Sequence, residues 1–127
     1  MTIGYITIGY NDEAKAVAFY DAMLGAMGYE RGPLEGGWAF YGKGDAPGVG
    51  VCKPFDSQAA RGGNGAMTGF KADSREQVQA AYDAALAHGG TDEGAPGFRP
   101  PEAASGFYGA YARDAAGNKL CVYTMVA

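Results

Sequence analysis

Few residues in this chain are equipped for chemistry. Two cysteines, Cys52 and Cys121, stand 69 positions apart, and the sole histidine is His88. A thiol becomes a nucleophile or redox centre when a helix N-terminus or a nearby cation depresses its pKa. The cations closest in sequence, Lys53 and Lys119, are read by strand alternation as facing away from the thiols. No Cys-x-x-Cys spacing offers a zinc clip. In a reducing compartment, two separate cysteines read as small buried hydrophobes. His88 reads as a helix-end residue facing C-terminal carbonyls rather than as a base, and no motif around it supports Ser/His/Asp catalysis. Gly62-Gly63-Asn64-Gly65 lacks the Lys-Ser/Thr of a phosphate loop and reads as a turn. Arg99 sits in a Gly/Pro-rich stretch with Phe98 and Pro100-Pro101. It suits a clamp for a carboxylate or phosphate, or alternatively an ion pair with Glu93 or Glu102. Tyr108, Tyr111, Tyr123, Trp38 and Phe40 read as core aromatics, some of which can line a binding wall.

The elements that position these groups follow from periodicity. Residues 3–10 are β-branched and aromatic, hence a strand. Asn11 or Asp12 caps a helix over 14–27, whose Ala16, Phe19, Tyr20, Met23, Leu24 and Met27 share one face. Strands at 38–41 and 49–52 flank a glycine-rich turn. A strand at 66–72 precedes the capping box Ser74-Arg75-Glu76-Gln77 and a helix to about His88. A Gly/Pro loop over 91–106 follows, then strands at 107–113 and 118–125. Further β elements are expected in residues 29–34 and, as their counterpart, within 91–106.

This order repeats. Tyr20-Asp21-Ala22 recurs as Tyr82-Asp83-Ala84, and Asp45-Ala46-Pro47-Gly48 as Asp114-Ala115-Ala116-Gly117. Two modules packed side by side bury both helices against a curved sheet and leave a concave cup, a natural small-molecule site. Alternation sends Ile6, Ile8, Val49, Val51, Thr68, Phe70, Leu120 and Val122 toward the helices. Tyr5, Thr7, Cys52, Met67, Cys121 and Tyr123 then face the cup. The repeat intervals pair Tyr5 with Met67 and Cys52 with Cys121 as equivalent positions. The quartet has three readings: a weakly polar pocket floor, a soft site for an ion such as Cu(I), or a reactive thiol. Gly50 and Gly69 are expected to leave room for a ligand beside Cys52 and Met67.

With these segments in place, the chain resembles the glyoxalase/bleomycin resistance protein/dioxygenase superfamily, the vicinal oxygen chelate fold. The resemblance is carried by Tyr5-Ile6-Thr7-Ile8-Gly9 through Asn11-Asp12, Ala18-Phe19-Tyr20-Asp21, Gly63-Asn64-Gly65 and Phe70 through Ser74. Phe107-Tyr108 through Arg113-Asp114 and Gly117-Asn118-Lys119-Leu120 complete it. It implies paired βαβββ modules around a cup, a homodimer, and in many members a divalent metal held by two His and one or two Glu as a Lewis acid. It also puts Tyr5 and Met67 where those His stand and Cys121 where a Glu stands; Cys52 takes the fourth position from the internal match alone. With one histidine in the chain, two His ligands within it are impossible, and oxygen-rich Mn, Fe, Ni or Zn chemistry loses its ligands. Glu35, Asp45, Asp56 and Glu102 remain conceivable donors with His88, a poor set.

Composition excludes other classes. The chain has 127 residues, 47% hydrophobic and 13% aromatic, too apolar for a disordered segment. Its 22 glycines have no every-third-residue period, so collagen is out. Fourteen acids against ten bases, with no basic run, argue against nucleic acid and anionic membranes. No apolar stretch reaches transmembrane length and no signal core opens the chain. The expectation is an α+β protein, soluble and cytoplasmic. Residues 1–127 form one domain of two tandem βαβββ modules, about 1–60 and 66–127, with a cup-like mixed sheet and helices outside. The expected function is binding, and conceivably transforming, a small organic molecule in a cup without metal or cofactor. Tyr5, Thr7, Cys52, Met67, Cys121, Tyr123, Tyr108 and Arg99 are the ligand-binding candidates. The alternatives are a metal-dependent lyase or dioxygenase, and a drug-sequestering resistance protein without catalysis.

Overall fold

The β-branched run at the start forms β1 (Tyr5–Gly9) in the computed structural model, which describes residues 2–127. Asp12 then caps α1 (Glu13–Gly25), its carboxylate accepting from the Lys15 amide at 3.0 Å, and Gly28, at φ +89°, turns the chain out. Two antiparallel pairings build the rest of the first sheet: β2 (Glu30–Arg31) with β3 (Trp38–Gly42), and β3 with β4 (Gly48–Cys52). β1 joins in parallel to β4, giving the order β1-β4-β3-β2.

The second module repeats this plan. β5 (Thr68–Lys71) leads to α2 (Arg75–Ala87) and then to β6 (Thr91–Phe98), β7 (Gly106–Arg113) and β8 (Lys119–Val126), in the order β5-β8-β7-β6. The capping box forms with one shift. Ser74 accepts from the Gln77 amide at 3.1 Å, but the Gln77 side chain reaches past Ser74 to the amide of Asp73, at 2.7 Å. The fold is thus the expected α+β pair of βαβββ modules, as two four-stranded mixed sheets. Among the described residues no ladder joins β1 to β5. No helix of the described residues is long and apolar enough to cross a membrane.

The predicted helical face is fully interior. Phe19, Tyr20, Met23, Leu24 and Met27 are all buried, and they merge with Val78, Ala81 and Ala85 of α2 into one core cluster that draws on both modules. A polar clasp also ties the modules together. The Tyr20 hydroxyl donates to buried Asp114 at 2.6 Å. Asp114 in turn accepts from the Ala116 and Asn118 amides and from the Asn118 side chain. That side chain also donates to the Gly9 carbonyl of β1 at 2.9 Å. The Asp-x-x-Gly-Asn turn is therefore a structural hinge pin between modules.

The β element expected within 91–106 is β6, an edge strand that takes up residues 91–98 of the stretch read as a loop; register shifts at Asp92/Gly94 and Gly94/Gly97 let Gly94, Pro96 and Gly97 sit in it without breaking β7 pairing elsewhere. One expectation needs correction: the two cysteines are not equivalent. Thr7 lies beside Gly50, and its counterpart 62 positions later, Gly69, lies beside Cys121. Cys121 therefore corresponds to Gly50, an interval of 71 that the antiparallel pairs Phe40–Gly50 and Tyr111–Cys121 share. The hairpin match at 69 is two residues out of register, since Gly48 opens β4 whereas Gly117 lies in a turn at φ +89°.

Candidate functional site

Each sheet has one face on its helix and one open face. On the first sheet Ile8, Val49, Val51, Ala39 and Tyr41 are buried toward α1, and the open face carries Tyr5, Thr7, Cys52, Trp38 and Phe40. Trp38 and Phe40 are 41% and 42% exposed, so they are surface aromatics and not the core residues their type suggested. Their rings lie flat because the adjacent strand carries no side chain beneath them. A Cβ on Gly50 would stand 2.6 Å from the Trp38 ring, and one on Gly48 would stand 2.5 Å from the Phe40 ring. The space at Gly50, expected to admit a ligand beside Cys52, is thus filled by the protein's own indole. Tyr5 tilts against Phe40, centroids 5.9 Å apart, and continues this aromatic floor.

The segment after β4 walls the floor. Thr7, Gly9, Trp38, Cys52, the fully exposed Phe55 and Arg61 are among the residues around a cavity of about 900 Å³. A second cavity of about 270 Å³ lies where the modules meet, lined by residues that include Thr7, Gly9, Arg61, Met67, Thr68 and Lys119. Thr7, Gly9 and Arg61 belong to both, so the two spaces share a wall. A third, of about 480 Å³, runs along the edge of β5 past Met67, Gly69, Lys71 and Tyr123.

On the second sheet the open face carries Phe107, Tyr111, Lys119, Cys121, Tyr123 and Met125. Phe107 and Tyr123 stack at 5.1 Å, and a Cβ on Gly69 would meet the Tyr123 ring at an ordinary 3.7 Å, so the space at that glycine is bordered by a ring but not filled as at Gly50. Lys119 shares the face of Cys121, two residues on; its ammonium lies 5.6 Å from the ring centre of Tyr111, the cross-strand partner of Cys121. The reading that turned it away from the thiol is corrected here. Arg99 also stands 5.6 Å from that centre, folded back to donate to the Ala95 and Phe98 carbonyls. Glu93 is taken by Arg113 at 2.7 Å, and among the described residues neither Arg99 nor Lys119 has a carboxylate within 4.0 Å.

These cations do not activate the thiol. Burial pushes the Cys121 pKa up, and the pull of Tyr111, Arg99 and Lys119 offsets that only in part. Burial also raises Cys52. Both are free and buried. The raised pKa values keep both thiols neutral and poorly nucleophilic near neutral pH.

Of the candidates, then, Thr7 and Cys52 meet at the largest cavity, Thr7 and Met67 at the junction, and Met67 and Tyr123 along β5. Tyr5 lies on the first open face. Cys121, in β8, and Arg99, just after β6, are in the lining of none of the three. Tyr108 belongs to the helix side: alternation from Gly109 turns it inward, edge-on to Phe98 at 5.1 Å and 5.7 Å below the Arg75 guanidinium. Phe55 and Arg61 were not singled out from sequence, and Trp38 only among the aromatics able to line a binding wall, yet all three shape the cavity of about 900 Å³. A legible signal existed for Trp38, since Trp38-x-Phe40 faces Gly48-x-Gly50 across the hairpin.

The donor set does not fit the divalent metal that the resemblance implies. Tyr5 and Met67, 59% and 50% exposed, occupy the positions expected of His, and buried neutral Cys121 that of Glu. Among the described residues no three His, Cys, Asp or Glu side chains group closely enough to hold an ion. His88 ends α2, its Nδ1 2.9 Å from the Ala84 carbonyl.

Comparison with known proteins agrees with this architecture. The family model described as Glyoxalase/Bleomycin resistance protein/Dioxygenase superfamily matches residues 2–122. A glyoxalase/bleomycin resistance protein from Albidiferax ferrireducens T118 is 37% identical, with a TM-score of 0.86 over 96% of this chain and 97% of that one. A glyoxalase-related enzyme from Fulvimarina pelagi (18% identity, TM-score 0.75, 98% and 88% covered) shares the fold. So does a family enzyme from Burkholderia phytofirmans PsJN (18%, 0.74, 99% and 100%). A search of curated proteins returned no match.

Proposed function

Because the chain belongs to the glyoxalase/bleomycin resistance protein/dioxygenase superfamily, we propose that it binds a small organic molecule in the cavity over β1 and β4, without a metal. The observation that carries this reading is the cavity of about 900 Å³ with Trp38 laid flat on Gly50 at its wall. Pockets for small ligands run to about 300–1,000 Å³ and combine aromatic walls with a few polar groups. Here Thr7, Cys52 and Arg61 are such polar groups.

Sequestration of the ligand is favoured over its transformation by one observation. The only thiol at the cavity, Cys52, is held protonated by burial, and no histidine lines the space. A homodimer acting in the cytoplasm is part of the same reading and rests on the resemblance. Residues 1–127 act in it as one glyoxalase-like unit. The test is ligand binding by calorimetry on protein treated with a chelator and dialysed, with turnover followed by mass spectrometry. Binding that survives chelation supports the reading. A stoichiometric divalent metal retained through chelation and dialysis, and needed for binding, overturns it.

A further inference from the structure

The protein is acidic overall, with net charge −4, yet the junction between its two cavities is cationic. Arg61 and Lys119 both line the smaller cavity, and no Asp or Glu does. Neither cation has a carboxylate within 4.0 Å among the described residues, whereas Arg113, the cross-strand partner of Lys119 beside Gly62 of the same wall, is paired with Glu93. Thr7, on the open face, brings a hydroxyl group to this wall, and Thr68 and Asn118 are also in its lining. Unneutralised cations with hydroxyl donors at a concave site are what an oxyanion needs. The adjoining larger cavity supplies the other half of a ligand: the indole of Trp38 and the ring of Phe55, joined to the cationic end through the shared wall of Thr7, Gly9 and Arg61.

We propose that the ligand is an amphipathic anion: a planar aromatic or unsaturated body stacked on Trp38, carrying a carboxylate or similar oxyanion that sits between Arg61 and Lys119. The inference rests on the small-molecule reading above and narrows it to one ligand class. It runs against what net charge alone suggests, which is attraction of cations. Charge placed at the site itself acts on a bound ligand at short range, whereas a diffuse surface excess is screened by salt beyond about 10 Å.

Trp38 is the only tryptophan, so its emission reports on the floor directly. The experiment titrates the protein with 4-nitrobenzoate and its neutral isostere 4-nitrobenzamide, following tryptophan quenching by the nitro group and heat by calorimetry. The expected result is saturable quenching by both, with the carboxylate about five- to tenfold tighter at low salt. That ratio falls toward one in Arg61→Gln/Lys119→Gln and at about 1 M ionic strength, while Trp38→Leu weakens both probes. Equal affinities, or a preference for the amide, overturn the anionic class and leave the small-molecule reading standing. A carboxylate preference unchanged in the double variant overturns its assignment to Arg61 and Lys119. Failure of both probes to bind by calorimetry overturns both readings.

Discussion

Removing one oxygen from α1 tests the clasp between modules. Tyr20 is fully buried, and its hydroxyl donates to Asp114, 94 residues away, at 2.6 Å. Tyr20→Phe keeps the ring and its edge contact with Phe19 at 4.8 Å, so packing is conserved and only the hydrogen bond is lost. A hydrogen bond to a charged acceptor contributes about 1.5–3 kcal/mol. Asn118 still donates to the same oxygen in the variant, which places the loss at the lower end, about 1.5–2 kcal/mol. For a chain of this size that lowers Tm by roughly 6–8 °C. The assay is reversible thermal unfolding by circular dichroism, repeated in an Asp114→Ala background. There the Tyr20 hydroxyl has already lost its acceptor, so adding Tyr20→Phe is expected to cost nothing or to restore some stability. A loss below about 2 °C in the parent chain, or an equal loss in both backgrounds, would refute the argument that this bond couples the modules.

Other consequences can be measured as readily. Gly50→Ala forces the Trp38 ring off the sheet, because the new Cβ meets it at 2.6 Å. Tryptophan emission should move to longer wavelength with only a modest stability loss; an unchanged spectrum would show that the ring is not seated on the glycine. Alkaline stability follows from the tyrosines. Tyr10 is pushed up to about 12 by burial and by its bond to Glu13, and burial raises Tyr20 and Tyr41 further. A raised folded-state pKa favours the neutral form, so this stability is complete below the unfolded value near 10 and is lost as pH climbs from there toward 12 and beyond. Denaturant midpoints flat to pH 9 and falling above 10 are expected; a fall beginning near neutrality contradicts it. Cys52 and Cys121, buried and with raised pKa values, should react with a disulfide reagent at pH 8 only on the timescale of unfolding. Rapid labelling of either would reopen the reactive-thiol reading.

The parts of the fold that obey one period were readable in advance. Ala16 to Met27 recur at helical spacing and are buried as a set, and Ile8, Val51, Phe70 and Val122 alternate onto the helix side of their strands. β6 was expected within 91–106 from the repeat alone, and its bounds were not readable because its bulges break the two-residue period at Gly94 and Gly97, residue types that ordinarily mark loops. The cysteine pairing failed because a four-residue hairpin match fixes a register only to within a slip, and here the slip was two residues. Trp38 and Phe40 were misread because their exposure depends on glycines in a neighbouring strand, a relation that no single strand displays. Arg61 lies in a segment without periodicity, and only the folded chain brings it into one cavity lining with Lys119.

The Asn118 side chain donates to a carbonyl 109 residues earlier in the chain. During synthesis the first module emerges long before that donor exists. The Gly9 carbonyl and the Tyr20 hydroxyl gain Asn118 and Asp114 as partners only once the turn between β7 and β8 has been made. Closure of the clasp is thus deferred to the second module. A chain split between the modules should yield two halves that recover structure on mixing rather than one stable half alone.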